Sequence, residues 1–289
     1  MKPALLRELA TWACNALEVS QRRVCRLLDF NRSTARYQCV PKDDDDLAVK
    51  IRHIAEFEFS YGYRRIHGVL RRNAIIVNHK RVYRLYVENG LAFRRRVSRK
   101  LPLEQRKVLP TPKGPNQIWS MDFTLDRIVD GRPVRILAII DDFHREIVSI
   151  ECAQAMPSGR LVRALNEAIF LHGKPKRIRS DNGPEFRSKE MKRWAQMQRI
   201  EQVFIRPGKP QENGYIESFF GTMRTEFLNS ETFLSYKEAK EKLERWISWY
   251  NEERLHSSLA YRPPKEYLKA FRVKEDSKNQ NKEVTLRVA

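Results

Sequence analysis

Residues 118–125 read Ile118-Trp119-Ser120-Met121-Asp122-Phe123-Thr124-Leu125. Trp119, Met121, Phe123 and Leu125 fall on one face and Ser120, Asp122 and Thr124 on the other, the period-2 pattern of a strand. Val134 to Asp141 follows as a largely apolar run, Ile147 to Cys152 alternates again, and Asp130-Gly131 marks the first turn, so the three segments predict an antiparallel meander. Ser158 to His172 then carries Leu161, Val162, Leu165 and Ile169 at helical spacing and stops at Gly173. Arg177 to Asp181 reads as a short strand, Ser188 to Gln198 as a helix and Glu201 to Ile205 as another strand. With the helix from Gly214 onward, the order β-β-β-α-β-α-β-α predicts an α/β fold with five strands and flanking helices.

Three carboxylates stand out in this pattern. Asp122 lies on the polar face of the first strand. Asp181 closes the fourth strand before the turn dipeptide Asn182-Gly183, at the strand's C-terminal edge, where α/β folds place ligands. Along Gly214 to Leu228, Ile216, Phe220, Met223 and Phe227 define an apolar stripe, while Glu217, Gly221, Arg224 and Leu228 lie on its flank. Any one of these acids alone reads as a cap or a surface group. As a set, oxygen-only donors suit Mg²⁺ or Mn²⁺, and two such ions about 3.5–4 Å apart serve in-line phosphoryl transfer.

Around this core the charge is uneven. The chain has 289 residues and a net charge of +20, from 56 Lys and Arg against 36 Asp and Glu. Residues 1–115 hold 25 basic and 11 acidic residues, so +14 of the excess lies there and +6 in residues 116–289. Such an excess binds polyanions, although on composition alone a generic basic protein such as a ribosomal one stays open. In the N-terminal part, Ser20 offers a cap for a helix from Gln21 to Leu28. A break at Asp29-Phe30-Asn31 and a second short helix, Arg32 to Tyr37, complete a helix-turn-helix candidate or an ordinary helical hairpin. A second pair runs Tyr63 to Arg72 and, capped by Asn78 and ended by Gly90, His79 to Glu88. Arg64, Arg65, Lys80, Arg81, Arg84, Arg94, Arg95 and Arg96 are its candidate DNA-phosphate contacts.

Four prolines between Leu101 and Pro115 mark a linker. The chain is thus expected to comprise a helical DNA-binding region (1–100), a linker (101–115), a catalytic core (116–270) and a polar, disordered tail (271–289). Cys14, Cys25, Cys39 and Cys152 form no C-x-x-C pair and read as buried, reduced thiols. The longest apolar run, Ile136 to Ile140, is far short of a membrane span of about 18 residues, and residues 1–20 lack the features of a signal peptide. A cytoplasmic protein with no membrane partner is expected.

Several ordered blocks resemble a known family. Trp119-Ser-Met-Asp122-Phe-Thr, Ser180-Asp181-Asn-Gly-Pro-Glu-Phe186 and Arg206-Pro-Gly-Lys-Pro-Gln-Glu-Asn-Gly-Tyr-Ile-Glu217-Ser-Phe-Phe-Gly221 are similar to the three catalytic blocks of DDE transposases that share the retroviral integrase core. Between Asp181 and Glu217 lie 35 residues, the family's spacing. Tyr250-Asn251, Arg254, His256, Leu259, Tyr261 and Pro263-Pro264 resemble its C-terminal signature. Tyr61-Gly-Tyr-Arg-Arg-Ile-His67 and Asn78-His-Lys-Arg-Val-Tyr-Arg84 resemble the helical block upstream of the core in insertion-sequence transposases made from two reading frames. The resemblance spans roughly residues 10–270.

It implies an RNase H-like mixed sheet and Mg²⁺-dependent (or Mn²⁺-dependent) cleavage of element ends, followed by joining of 3′-hydroxyls to target double-stranded DNA. Asp122 would bridge two ions, with Asp181 and Glu217 each completing one shell. Arg224 stands where the family usually has a phosphate-contacting lysine, and the two are not equivalent. Gly214 replaces a common alanine and Leu255 a common proline. The resemblance further implies a bacterial, nucleoid-associated protein, a homo-oligomer on paired DNA ends and a second reading-frame product that works with an upstream reading-frame product. Two other readings share some of these features: a DNA-end-binding regulator without catalysis, and a phage-type integrase or nuclease of the same fold.

Overall fold

The computed structural model describes residues 3–37, 43–92, 112–208 and 210–288. The chain divides into two compact units, Met1–Leu47 and Ala48–Ala289. The smaller holds α1 (Pro3–Ala16), α2 (Gln21–Leu27) and α3 (Arg32–Ala35). Ser20 caps α2 by accepting the Arg23 N–H at 3.4 Å, and Asp29 takes a left-handed φ of 45° in the turn that follows. Both helices of the predicted pair are present, with α3 a single turn that stops short of Tyr37. Helix α1 has no counterpart in the sequence reading.

The boundary near residue 47 departs from the expected helical region 1–100. Helix α4 (Asp45–Phe57) crosses it, and α5 (Tyr63–Arg72) and α6 (His79–Glu88) belong to the larger unit. The cause is packing: Tyr61 and Arg65 bond to residues beyond 225 in that unit. Helices α5 and α6 keep their predicted bounds because their ends are written locally. Asn78 Oδ1 accepts the Lys80 N–H at 2.9 Å, Gly90 takes φ 70°, and Ile66, Leu70, Val82 and Leu85 are buried.

The sheet comprises β1 (Ile118–Arg127), β2 (Pro133–Asp141), β3 (Ile147–Ala153), β4 (Arg177–Ser180) and β5 (Glu201–Phe204), in the spatial order β3-β2-β1-β4-β5. The pairs β1/β2 and β2/β3 are antiparallel, whereas β1/β4 and β4/β5 are parallel. The sheet is therefore mixed. Helices α7 (Ser158–His172) and α8 (Lys189–Gln198) cover one face, where Trp119, Met121, Leu137 and Ile139 pack with Leu161, Leu165 and Met191. Helices α9 (Gly214–Glu226) and α10 (Tyr236–Glu252) cover the other, where Ile136, Ala138 and Ile140 pack with Ile216, Phe219, Met223 and Tyr250. Burial on both faces explains why β2 is a continuous apolar run rather than an alternating one.

Helix α11 runs Pro264–Val288, which corrects the expected disordered tail. The polar stretch from Lys274 to Glu283 contains neither Pro nor Gly and many good helix formers, so it can prolong a helix that begins at Pro264. Among the described residues no helix is long and apolar enough to cross a membrane.

Candidate active site

The register of the parallel pair β1/β4 sets Ser120 opposite Arg179. Asp122 and Asp181 each lie two residues further along their strands, so both carboxylates emerge at the same level, with Asp181 just past the end of β4. Asp122 Oδ1 accepts the Phe123 N–H at 2.7 Å. Asp181 Oδ1 accepts the Gly183 N–H at 2.9 Å, turning the chain away from the strand. A Cβ on Gly183 would stand 3.0 Å from that oxygen, so glycine keeps this turn tight. Asn182 anchors the turn by donating to the Ile205 carbonyl at 2.7 Å.

Glu217 is delivered by α9, which is fastened to β1 at two points. Buried Asn213, just before the helix, donates to the Met121 carbonyl at 3.3 Å. Ten residues into α9, Arg224 donates to Thr124 Oγ1 at 3.1 Å and to the Leu125 carbonyl at 3.4 Å. Asn213, Glu217 and Arg224 share one helical face, so Glu217 stands between the two fastenings, alongside Asp122. The buried stripe of α9 is Ile216, Phe219 and Met223, whereas the sequence reading put Phe220 in place of Phe219. Phe220 is partly buried at the edge of the same cluster.

Electrostatics tie the three acids together. The Asp122 carboxyl is pushed up to about 6, first by burial and then by the negative charges of Asp181 and Glu217, against the lowering effect of the Phe123 N–H. This repulsion, with an all-oxygen donor set, is what a divalent cation relieves. Among the described residues no three acidic, imidazole or thiol side chains stand close enough together to hold a metal ion, so Asp122, Asp181 and Glu217 are near enough to influence one another's charge without being gathered into a ligand set. An open carboxylate edge fits Mg²⁺, which keeps several waters and shares its shell with substrate phosphate.

Supports of this edge escaped the sequence reading. Arg135 lies 4.0 Å over the Phe123 ring and pairs with Glu185 at 2.5 Å, and Phe123 stacks on Phe186 at 4.9 Å. The loop after Asp181 is thereby clamped to β1 and β2. Buried Arg254 grips Glu226 of α9 through two bonds of 2.5 and 2.6 Å, with Arg65 and Ser60 adding two more from the α5 side. Asn251 bonds both the N–H and the carbonyl of Ile147, at 2.9 and 3.0 Å. The two signature blocks outside the carboxylate trio therefore meet each other and hold α9, the helix that carries Glu217.

The basic candidates separate. Arg64 and Lys80 are exposed. Arg65 turns inward to Glu226, Arg84 pairs with Glu88 at 3.0 Å, and Arg81 is half-buried. Arg94, Arg95 and Arg96 lie outside the described residues.

Comparison with known proteins agrees with this architecture. Integrase core domain families match residues 112–210 and 198–264, and an HTH-like domain family matches residues 42–99. The chain is 38% identical to the insertion element IS407 uncharacterized 31.7 kDa protein of Burkholderia multivorans, over 90% of this chain and 95% of that one. It is 37% identical to the insertion element IS476 uncharacterized 39.2 kDa protein of Xanthomonas euvesicatoria, over 95% and 80%. It is also 29% identical to the Escherichia coli transposase InsD for insertion element IS2, over 78% and 79%. A chain of the simian T-cell lymphotropic virus intasome in complex with PP2A regulatory subunit B56 gamma shares the fold, with TM-score 0.51 and 17% identity over 75% of this chain and 74% of that one. With an HTH-like DNA-binding region before an integrase core, the chain belongs to the DDE transposases of insertion elements, a family of polynucleotidyl transferases.

Proposed function

We propose that Asp122, Asp181 and Glu217 form the catalytic carboxylate set with which this transposase cuts element ends and joins them to double-stranded target DNA. The observation that supports this most is their common edge: two acids at one level on neighbouring parallel strands and a third on a helix fastened to the first strand. Asp122, Asp181 and Glu217 would together hold two divalent cations, Mg²⁺ or Mn²⁺, which when bound would neutralise charge and activate the attacking and leaving oxygens as Lewis acids. Asp122, whose carboxyl is influenced by both other acids, would be the ligand common to both. The Phe123 N–H and the Gly183 N–H fix one oxygen of Asp122 and of Asp181, leaving the others to face the edge. Arg224, seven residues after Glu217, presents a cation next to Thr124 that orients a DNA phosphate.

Arg64, Lys80, Arg81 and Arg84, with Arg94, Arg95 and Arg96, provide the sequence-independent grip on DNA. The working form is a homo-oligomer on paired ends in the bacterial cytoplasm, on the nucleoid, completed by the upstream reading-frame product. The test is a joining assay with Mg²⁺ and duplexes bearing the element's terminal repeats. Asp122→Asn, Asp181→Asn and Glu217→Gln are each expected to lower joining by about 10³-fold, with DNA binding retained. Joining at the wild-type rate in any one of them removes that residue from the set. Binding of ends without cutting, even with the upstream product present, would instead mark a regulator.

A further inference from the structure

Behind α9 lies a second concentration of positive charge. A cavity of 130 Å³ is lined by Arg65 of α5, Arg145 of the turn after β2, Arg254 after α10, and Ser218 and Thr222 of α9, with no acid among its lining residues. Glu226 engages Arg65 and Arg254, and outside the lining Glu58 lies near Arg254 and Asp142 near Arg145, so the arginines are partly balanced from behind while the cavity wall itself presents cations and hydroxyls. Arg145 lies 3.6 Å over the Tyr215 ring and donates to the Asp142 carbonyl. It does so from a left-handed backbone, φ 63°, a conformation uncommon outside glycine, asparagine and aspartate. His256, also in the wall, is pushed down to about 2 by burial and then by Arg254, Arg65 and Arg145. Its ring is neutral at working pH and the local potential is positive.

The space is ample for a tetrahedral oxyanion with a few waters, since a single water needs only about 10–15 Å³ on this measure. Guanidinium forks with hydroxyl donors are the groups that bind phosphate. A neighbouring cleft of 780 Å³ shares Arg65 and Ser257 with this cavity and is walled by Tyr63, Tyr83 and Tyr261. A free phosphate leaves that cleft empty, whereas the sugar and base attached to a nucleic-acid phosphate extend into it, where tyrosine faces can stack.

We infer that this cavity is a seat for a single DNA backbone phosphate, distinct from the carboxylate edge, with the adjoining nucleotide lodged in the tyrosine cleft. The inference rests on the DNA-joining function proposed above. The seat holds the strand behind the catalytic helix, so Ser218 and Glu217, adjacent in sequence, serve different parts of one bound duplex.

The test uses the full chain and two variants that spare the buried pair. Arg145→Asn removes the guanidinium while tolerating the left-handed backbone, and Ser258→Asp places a carboxylate at the exposed rim. Inorganic phosphate titrated by calorimetry should bind the wild type and bind each variant about tenfold more weakly. Duplex DNA followed by fluorescence anisotropy across a salt series should show the slope of log K against log salt reduced by about 0.9 in Arg145→Asn, one phosphate contact. Weaker phosphate binding with an unchanged DNA slope would overturn the assignment to DNA, and no change in either measurement would overturn the site altogether. Loss of joining in Asp122→Asn beside an unchanged slope in Arg145→Asn sinks the seat and leaves the catalytic reading standing. The reverse pattern sinks the catalytic reading and leaves the seat.

Discussion

At Asp122 function and stability oppose each other. Burial and the charges of Asp181 and Glu217 push its carboxyl up to about 6, whereas in an unfolded chain it titrates near 4. Between about pH 4 and 6 the native state binds the proton more tightly, so the penalty of the ionised form grows as pH rises and is complete above about 6. Asp122→Asn is therefore expected to stabilise the metal-free protein at pH 7.5 by about 1 kcal/mol, discounted for partial exposure, and to have no such effect at pH 4. Thermal melts in chelator at the two pH values check this. Mg²⁺ should raise the melting temperature of the wild type and not of the variant.

Leu255 shows how a family departure is absorbed. Its N–H donates to the Tyr61 hydroxyl at 3.1 Å, a bond that the proline common at this position cannot make. Tyr61→Phe is expected to cost about 1 kcal/mol, measurable by denaturant unfolding.

At the scale of elements, the decisive object is the pairing of α9 with β1. Asn213→Ala removes the fastening near Glu217 and Arg224→Ala the one beyond it. Each should lower joining more than it lowers stability, by about tenfold against about 1 kcal/mol, and Arg224→Lys should recover part of the rate because the cation is retained. Kinetics and melts on the same preparations separate the two effects. The anchor at the far end of α9 is sterner. Burial raises the Glu226 carboxyl, but hydrogen bonds and charge from Arg254 hold it below the ordinary range. Its contribution is present above the unfolded pKa and lost as pH falls through the lower folded value. Arg254→Met leaves that buried carboxylate with only Arg65 and Ser60 and is expected to cost about 3 kcal/mol, the low end for breaking a buried pair, read as a lowered urea midpoint.

Element boundaries were legible where the chain punctuates itself: Asn78 and Gly90 around α6, Gly173 after α7, Ser188 before α8. Helix α10 also carries its own signal, the Ser235 cap on the Glu238 N–H at 3.2 Å and a stripe of Ala239, Leu243, Trp246 and Tyr250, yet its many charges hide that stripe in composition. The level shared by Asp122 and Asp181 is a matter of strand register. The pairs Arg135–Glu185 and Arg254–Glu226 join residues 50 and 28 apart. Neither register nor such pairing is written locally, so Arg254, Asn251 and Arg65 stood in the sequence motifs while their partners Glu226 and Ile147, and the whole Arg135–Glu185 pair, could not be read from the sequence.

For the whole molecule, the division of charge between a basic N-terminal part and a nearly balanced core does not coincide with the division into compact units. The boundary falls near residue 47, and α5 and α6 are built into the unit that bears the carboxylates. The helices proposed to grip DNA and the carboxylates proposed to be catalytic thus belong to the same compact unit. Gly68 marks how closely the two parts approach: an added Cβ would stand 2.8 Å from Leu255 Cδ1. In Gly68→Ala the buried Leu255 side chain must shift to make room, so the usual gain of about 1 kcal/mol for Gly→Ala inside a helix is expected to be cancelled, seen as a melting temperature that does not rise.

The contacts of Tyr61 with Leu255 and of Ser60 and Arg65 with Glu226 bridge the chain on either side of residues 93–111. A specific protease site introduced within 93–111 and cleaved after folding should therefore yield two fragments that migrate together on gel filtration and part only in denaturant. Co-migration would show that these contacts, rather than the intervening stretch of chain, hold the two sides together once the protein has folded.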